Sequence, residues 1–134
     1  MRILLVSTYE LGHQPVHVAV PAGVLRARGH EVRCVDQSVD AWDPSLLDGV
    51  DRVGISVPMH TATRLAQQLL PEIEVPVALY GLYGTPPFRG EYLRPLVEWV
   101  ESGLDQREGG WDARPARDLL PALDRYARLA MGDV

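Results

Sequence analysis

The sequence predicts a three-layer α/β domain built on a parallel sheet of four strands. Its 134 residues leave room for one domain, and its content of 46% hydrophobic and 23% charged residues is ordinary for a globular protein. Over residues 1–85, short apolar runs alternate with segments of helical periodicity. This β-α-β-α-β-α-β order favours parallel strands joined by right-handed crossovers, with helices on both faces of the sheet.

Four short runs predict the strands and their places in the sheet. Ile3–Val6 is continuously apolar, which is typical of a strand buried on both faces, so we expect it at the centre. Glu31–Asp36 alternates in polarity, which favours an edge strand. Arg52–Val57 and Pro76–Tyr80 supply the third and fourth strands. The expected order is 2-1-3-4, as in flavodoxin-like and Rossmann-like sheets.

Helical periodicity and chain breakers predict the helices. The first should end at Gly29, a residue type that commonly follows a helix. Pro21 falls inside this segment and is tolerable only if it lies in the first turn. The predicted helices span residues 17–28, 61–70, 91–102 and 119–131.

A change in composition divides the chain into residues 1–104, the α/β domain, and residues 105–134, a polar linker followed by a carboxy-terminal helix. No fifth strand is visible after Tyr80. We therefore expect the fourth strand, Val77–Tyr80, to form an exposed sheet edge, covered by the carboxy-terminal helix or by a second copy of the chain.

Composition argues against several classes of protein. The formal net charge is -5, and the 13 arginines, which are the only basic residues, do not cluster in sequence; this disfavours nucleic-acid binding. No apolar run approaches the roughly 20 residues that span a bilayer, and the apolar start is too short for a signal peptide. The single cysteine, Cys34, excludes an internal disulfide or a multi-cysteine metal site. We expect a cytoplasmic protein.

Polar and glycine-rich loops follow three of the predicted strands. In an open parallel sheet, ligands bind beyond the carboxyl ends of the strands, where the strand order switches. That rule selects nine candidate binding residues: Ser7, Thr8 and Tyr9 after the first strand, Ser56, Pro58 and His60 after the third, and Gly81, Tyr83 and Gly84 after the fourth. The glycines also suit turns, Ser56 also suits a backbone hydrogen bond, and His60 also suits the start of a helix.

The sequence predicts no catalytic residues and no defined metal site. Neither a dinucleotide fingerprint nor a P-loop follows the first strand. His13 and His17 have the spacing of metal ligands on a helix, but Pro15 between them disfavours that register. Asp36, at the end of the second strand, could contact a ribose, although the glycine fingerprint that usually accompanies such an acid is missing.

Several segments together resemble the amino-terminal cobalamin-binding domain of B12-dependent radical SAM enzymes. They are residues 1–6, Pro15, residues 25–32, Asp36, residues 51–64 and residues 120–126, the last resembling the connector to the radical SAM barrel. The resemblance implies that the nine candidate residues bind cobalamin across the carboxyl ends of the strands, which we call the carboxyl edge of the sheet. Its nucleotide tail would lie between strands. It also implies a radical SAM enzyme as a partner.

The sequence departs from that family in three ways. The C-x-x-x-C-x-x-C motif of the barrel is absent, as is the D-x-H-x-x-G motif whose histidine binds cobalt, so the expected cobalamin has no such ligand. A helix and the fifth strand are missing after Gly81-Leu82-Tyr83-Gly84. Two alternatives therefore stay open: a ligand-free interaction module, and a remnant of the amino-terminal half of a two-domain glycosyltransferase. If cobalamin binds, Ser56→Leu should reduce binding strongly and His60→Ala weakly.

Overall fold

The computed structural model describes residues 1–130, with side chains to residue 127, and confirms the predicted sheet. Its strands are β1 (Arg2–Ser7), β2 (Glu31–Asp36), β3 (Arg52–Ser56) and β4 (Val77–Tyr80). All pairs are parallel and the order is β2-β1-β3-β4. The continuously apolar strand therefore lies at the centre, and the alternating strand lies at an edge, as predicted.

Within residues 1–130, four α-helices surround the sheet and three short 3₁₀ turns lie in the connections. The α-helices are α1 (Val16–Ala27), α2 (His60–Leu69), α3 (Leu93–Val100) and α4 (Leu123–Ala130). The 3₁₀ turns are Pro44–Leu47, Leu70–Glu72 and Arg117–Leu119. Among the residues described, no helix is long and apolar enough to cross a bilayer.

Side chains of β1 alternate between two hydrophobic cores, which makes the fold three-layered. Ile3 and Leu5 belong to the core that contains residues of α1 and α3. Leu4 and Val6 belong to the opposite core, which contains Ala66 of α2. Because side chains alternate along a strand, a continuous apolar run is what a central strand covered on both faces requires.

Two predicted helices are shorter than expected. The predicted helix over residues 91–102 is observed as α3, which begins only at Leu93 and ends at Val100. The predicted helix over residues 119–131 is wrong at its start, because Leu119 closes a 3₁₀ turn and α4 begins at Leu123. Pro121 explains the break, since a proline disfavours helical backbone in the residue before it. Met131 lies outside the described residues.

The prediction for Pro21 is also wrong, because Pro21 is the sixth residue of α1 and lies in the helix interior. A proline there has no N–H for the carbonyl four residues earlier, that of His17. The buried Tyr80 at the end of β4 replaces this donor, its hydroxyl donating to the His17 carbonyl at 2.7 Å. We call this contact the Tyr80 clasp.

The chain after β4 folds back over part of the β4 edge. The Leu79 carbonyl accepts from the Thr85 N–H at 3.0 Å. The Gly81 N–H donates to the Phe88 carbonyl at 3.0 Å, and the Gly81 carbonyl accepts from the Gly90 N–H at 2.9 Å. Residues 84–90 therefore cover the carboxyl half of this edge, whereas α4 lies beyond the end of β2.

A buried ionic cluster lies at the amino ends of the strands, which we call the amino edge of the sheet. The Arg28 guanidinium donates to both Glu101 carboxylate oxygens, at 2.6 and 3.0 Å, and to the Arg107 and Gly109 carbonyls. The fully buried His30 lies between Glu101, 2.8 Å from Nε2, and the Met1 amine, 3.3 Å from Nδ1. Arg28 lowers the pKa of Glu101, whereas burial lowers the pKa of His30. The cluster ties the segment predicted as a linker to α1.

We predict that the Tyr80 clasp and Pro21 are energetically coupled. Tyr80→Phe should destabilise the fold by about 1 kcal/mol, because it removes the donor to the part-buried His17 carbonyl. In a Pro21→Ala background the residue-21 N–H can bond that carbonyl, so the same change should cost less. Urea unfolding of the four variants of this double-mutant cycle measures the coupling. Equal costs of Tyr80→Phe in both backgrounds would contradict the clasp.

We also predict that stability falls in mild acid because of His30. Its folded-state pKa lies below the ordinary 6.5, so the unfolded chain takes up a proton first. The His30 contribution is complete above pH 6.5 and is lost as the pH falls below that value. His30→Gln, which cannot titrate, should lose less stability on acidification than the unmutated chain, while His17, whose raised pKa acts in the opposite direction, titrates in both. An unchanged slope in that variant would show that His30 is not responsible.

Candidate functional site at the carboxyl edge

The nine predicted binding residues all lie at or just beyond the carboxyl edge, but they differ in accessibility. Buried are Ser7, Thr8, Ser56, Gly81 and Gly84; half-buried are Tyr9, Pro58 and Tyr83; exposed is His60. The fold therefore brings the three loops to one edge, as predicted from the strand order. The half-buried and exposed members, together with Gly81, which lines a cavity, can contact a ligand without rearrangement.

The three predicted hydroxyl side chains are closed off. Ser7, Thr8 and Ser56 are each at most 2% exposed. The Thr8 hydroxyl donates to the Ala62 carbonyl of α2 at 2.9 Å, and Ser56 ends β3 opposite Tyr80 of β4. Thr8 and Ser56 are therefore part of the packed interior below the carboxyl edge and are not on its surface.

The two predicted glycines shape the loop after β4. A Cβ on Gly84 would lie 2.6 Å from the Leu79 carbonyl oxygen, so the turn excludes any side chain there. Gly81 has a φ of 110°, in a region that side chains strongly disfavour. Both residues keep this loop close to the ends of β3 and β4, which is a requirement of the turn itself.

His60 is the first residue of α2. The ring packs on Tyr83, with a centroid distance of 4.2 Å. Met59 occupies the N-cap position of this helix. His60 therefore lies at the start of a helix, as expected, and its ring pairs with a side chain of the loop after β4.

A carboxylate–imidazole pair stands at the same edge. Leu11 and Gly12 adopt left-handed φ values of 54° and 74°, and the His13 N–H donates to the Glu10 carbonyl at 3.0 Å. After this turn the chain enters α1, where Nδ1 of His17 forms a short hydrogen bond with Oε1 of Glu10. This hydrogen bond raises the pKa of His17.

The Glu10–His17 pair is only partly open to solvent. The Glu10 side chain is 12% exposed and the His17 side chain 47% exposed, and Oε2 of Glu10 is buried without a hydrogen-bond partner in the described residues. The Tyr92 ring lies 6.2 Å from the His17 ring. Burial, and then the charge of Glu10, raise the pKa of Tyr92 to about 12, so its phenol stays protonated at neutral pH.

Two cavities open at this edge. The first, of about 320 Å³, lies on the β3–β4 side, and its lining residues are His17, Pro58, Gly81, Leu82, Gly90 and Tyr92. The second, of about 520 Å³, lies between the loop after β1 and α4, with residues such as Tyr9, Leu11, Gly12 and Tyr126 around it. Both volumes fall in the range of about 300–1,000 Å³ that is usual for small-molecule sites.

Helix α4 occupies the part of the edge beyond β2. The Tyr126 hydroxyl donates to Oδ2 of the buried Asp36 at 2.5 Å, and Arg125 donates to Asp40 at 2.7 Å. Oδ1 of Asp36 accepts from the Ser38 N–H and hydroxyl at 3.0 and 2.7 Å. Both Asp36 oxygens are therefore engaged within the chain, which leaves neither free for a ribose while α4 is in place.

Exposed apolar side chains concentrate at the carboxyl edge. Among the residues with described side chains, four of the six exposed large hydrophobic residues follow a strand or begin a helix there: Leu11, Val16, Leu82 and Leu123, with Leu65 and Leu104 elsewhere. Leu11, Leu82 and Leu123 are each more than 60% exposed. Leu11 and Leu123 line one of the two cavities, and Leu82 lines the other.

No group of three or more histidine, cysteine or acidic side chains that could hold a metal ion occurs in the described part of the chain. Comparison with protein-family models and with curated proteins gives no match.

Proposed function

We propose that the chain is a cofactor-binding module of the cobalamin-binding type, whose ligand lies across the carboxyl edge of the sheet. The observation that carries the proposal is the concentration of exposed leucines and two cavities at this edge. Apolar surface left open beside the switch point between β1 and β3 is where a ligand is expected in this fold. The sequence resemblance names cobalamin as the ligand to test.

The accessible residues suit a broad, flat ligand on this surface. A Cβ on Gly12 or Gly90 would meet no atom within 4 Å, so bare backbone is open beside both cavities. Tyr9, Tyr83 and His60 add partly exposed rings. A corrin could rest on this surface, with backbone groups of the loops available to its amide side chains.

The closed hydroxyls favour one binding mode. Because Ser7, Thr8 and Ser56 are buried, the arrangement supports a ligand lying across the edge rather than one with a tail inserted between β1 and β3. When bound, cobalamin would supply cobalt-centred chemistry, and the protein would supply orientation and hydrogen bonds. Because Cys34 is the only cysteine, a radical SAM domain, if one acts with this module, would bring its own cluster.

The interaction-module alternative is favoured by the same exposed leucines and by the partly covered β4 edge. Residues 84–90 bond to its carboxyl half, so a second copy would have only the beginning of β4 available for pairing. Self-association through this edge stays a prediction. Light scattering of the ligand-free chain measures it.

We predict that the chain retains hydroxocobalamin after incubation and desalting, as measured by visible absorption. Leu82→Asp should weaken retention by about tenfold, because a carboxylate beside the smaller cavity must be desolvated under an apolar ligand. Leu104→Asp is the matched control, because Leu104 is an exposed leucine away from this edge.

Ser56→Leu is a poor probe of this site, since Ser56 is buried beside Tyr80 and a larger side chain would disturb the core. His60→Ala should have a small effect, as expected from the sequence. No retention by the unmutated chain, together with a dimer in light scattering, would contradict cobalamin binding and favour the interaction module.

A further inference from the structure

Asp36 is a buried carboxylate whose hydrogen bonds come from two distant parts of the chain. It ends β2 and is fully buried. Its Oδ1 accepts from the backbone N–H and the hydroxyl of Ser38, two residues further on. Its Oδ2 accepts from the Tyr126 hydroxyl of α4, 90 residues away in sequence. One of its two oxygens therefore depends on a side chain from outside the sheet and its loops.

The chain that leads to α4 is packed firmly on α1. Ala116 is fully buried, and its N–H donates to the Ala19 carbonyl at 2.8 Å. A Cβ on Gly23 would lie 2.1 Å from the Arg114 carbonyl oxygen, so the two segments are in direct backbone contact. Leu120 belongs to the same hydrophobic core as residues of α1. The connection is therefore fixed as far as Leu120.

Helix α4 itself is held differently. Of residues 123–127, whose side chains are described, Tyr126 alone is buried, and none belongs to either hydrophobic core. Leu123 and Ala127 are exposed although both line the cavity of about 520 Å³. This part of α4 covers a cavity and not a core, so it can leave the carboxyl edge while the rest of the fold stays packed.

Tyr126 is the principal attachment of α4. The Arg125–Asp40 ion pair is largely exposed, and such pairs contribute little. Burial, and then the hydrogen bond to Asp36, raise the pKa of Tyr126, so its phenol stays protonated and donates. Tyr126 also lines the cavity. Its departure would join Asp36 to the cavity and leave Oδ2 without its donor, which is unfavourable unless another donor replaces it.

The cavity and the carboxylate together indicate a class of ligand. The described lining residues include the side chains of Tyr9, Leu11 and Leu123 and contain no Asp, Glu or Arg, which suits an uncharged ring better than a phosphate. An acid near the end of the second strand of a parallel sheet is a position that binds ribose hydroxyls. A nucleoside meets both requirements, because it carries a flat uncharged base beside two hydroxyl donors.

We propose that Asp36 and the cavity under α4 form a nucleoside-binding site, which Tyr126 closes by occupying the position of a ribose hydroxyl. Helix α4 is then a lid that opens when a nucleoside replaces Tyr126 on Asp36. The inference goes beyond cobalamin binding and does not depend on it. It also explains why the acid that the sequence suggested for a ribose is bonded within the chain.

The binding test compares adenosine with 2′,3′-dideoxyadenosine, which lacks both ribose hydroxyls of the ring, by isothermal titration calorimetry on the full chain. Because Tyr126 competes with the ligand for Oδ2, Tyr126→Phe should tighten adenosine binding by about tenfold. Dideoxyadenosine should bind this variant about tenfold more weakly than adenosine does, since it cannot donate to Asp36. Tyr9→Phe is the matched control: it removes a phenol from the same cavity but leaves the Asp36 bond in place, so it should not tighten binding.

Opening of the lid is measured separately, by hydrogen exchange at the backbone amides of α4. A helix as short as α4 is marginal once it leaves the fold, so its amides should exchange faster when the lid opens. Tyr126→Phe should accelerate this exchange in the ligand-free chain, and adenosine should accelerate it in the unmutated chain. The amides of α1 should not change. Circular dichroism verifies that each variant is folded.

Three results would overturn the inference. Absence of adenosine binding to Tyr126→Phe, even at millimolar adenosine, would exclude the site. Equal affinity of the unmutated chain and Tyr126→Phe would exclude Tyr126 as the closing group, and equal affinity for the two nucleosides would exclude Asp36 as the hydroxyl acceptor. Retention of hydroxocobalamin is measured without nucleoside, so the proposed function stands or fails separately.

Discussion

The hydrogen bond from Tyr80 to the His17 carbonyl joins the fold to its candidate site. Pro21 removes a donor from the middle of α1, and a side chain from the far end of β4 replaces it. Gly54 of β3 leaves room for this contact, since a Cβ there would lie 3.3 Å from the Tyr80 ring and 2.9 Å from Leu5. The first turn of α1 is thus fixed against the ends of β3 and β4, where the His17 ring meets the smaller cavity.

The two ends of the sheet are built differently. At the amino edge, Arg28, His30 and Glu101 satisfy one another and hold residues 107–109 in place. Cavities occur at both ends of the sheet, but the three most exposed leucines and the unpartnered Glu10 oxygen of the described residues lie at the carboxyl edge. Buried polar groups are normally paired, so these features favour the carboxyl edge as the candidate site.

Much of the fold could be predicted from local patterns. A continuous apolar run identified β1 as central, alternation identified β2 as an edge, and the strand order then brought the ligand loops together. That the interior of α1 accommodates Pro21 could not be predicted, because the donor that replaces its missing N–H is Tyr80, far along the chain. Periodicity also suggested that the carboxy-terminal helix begins at Leu119, whereas Pro121 delays it.

The candidate site was predicted only in part. The rule for parallel sheets located the correct edge, but it treated every residue of a loop as equally available, and five of the nine are buried. The sequence did not predict the Glu10–His17 pair, because the spacing of His13 and His17 suggested these two residues as partners instead. The signal that could have found it was the single acid in the ligand loops, followed by glycine, which permits the left-handed turn at residues 11–12.

The most direct test of a ligand site at this edge is nitrogen NMR of the four histidine side chains in the unmutated chain, with and without diaquacobinamide in its diamagnetic cobalt(III) form. The account predicts that the rings of His17 and His60, at the carboxyl edge, shift on binding and that His30 at the opposite edge does not move. A shift confined to His30, or no shift at any of the four rings, would contradict a ligand site at the carboxyl edge.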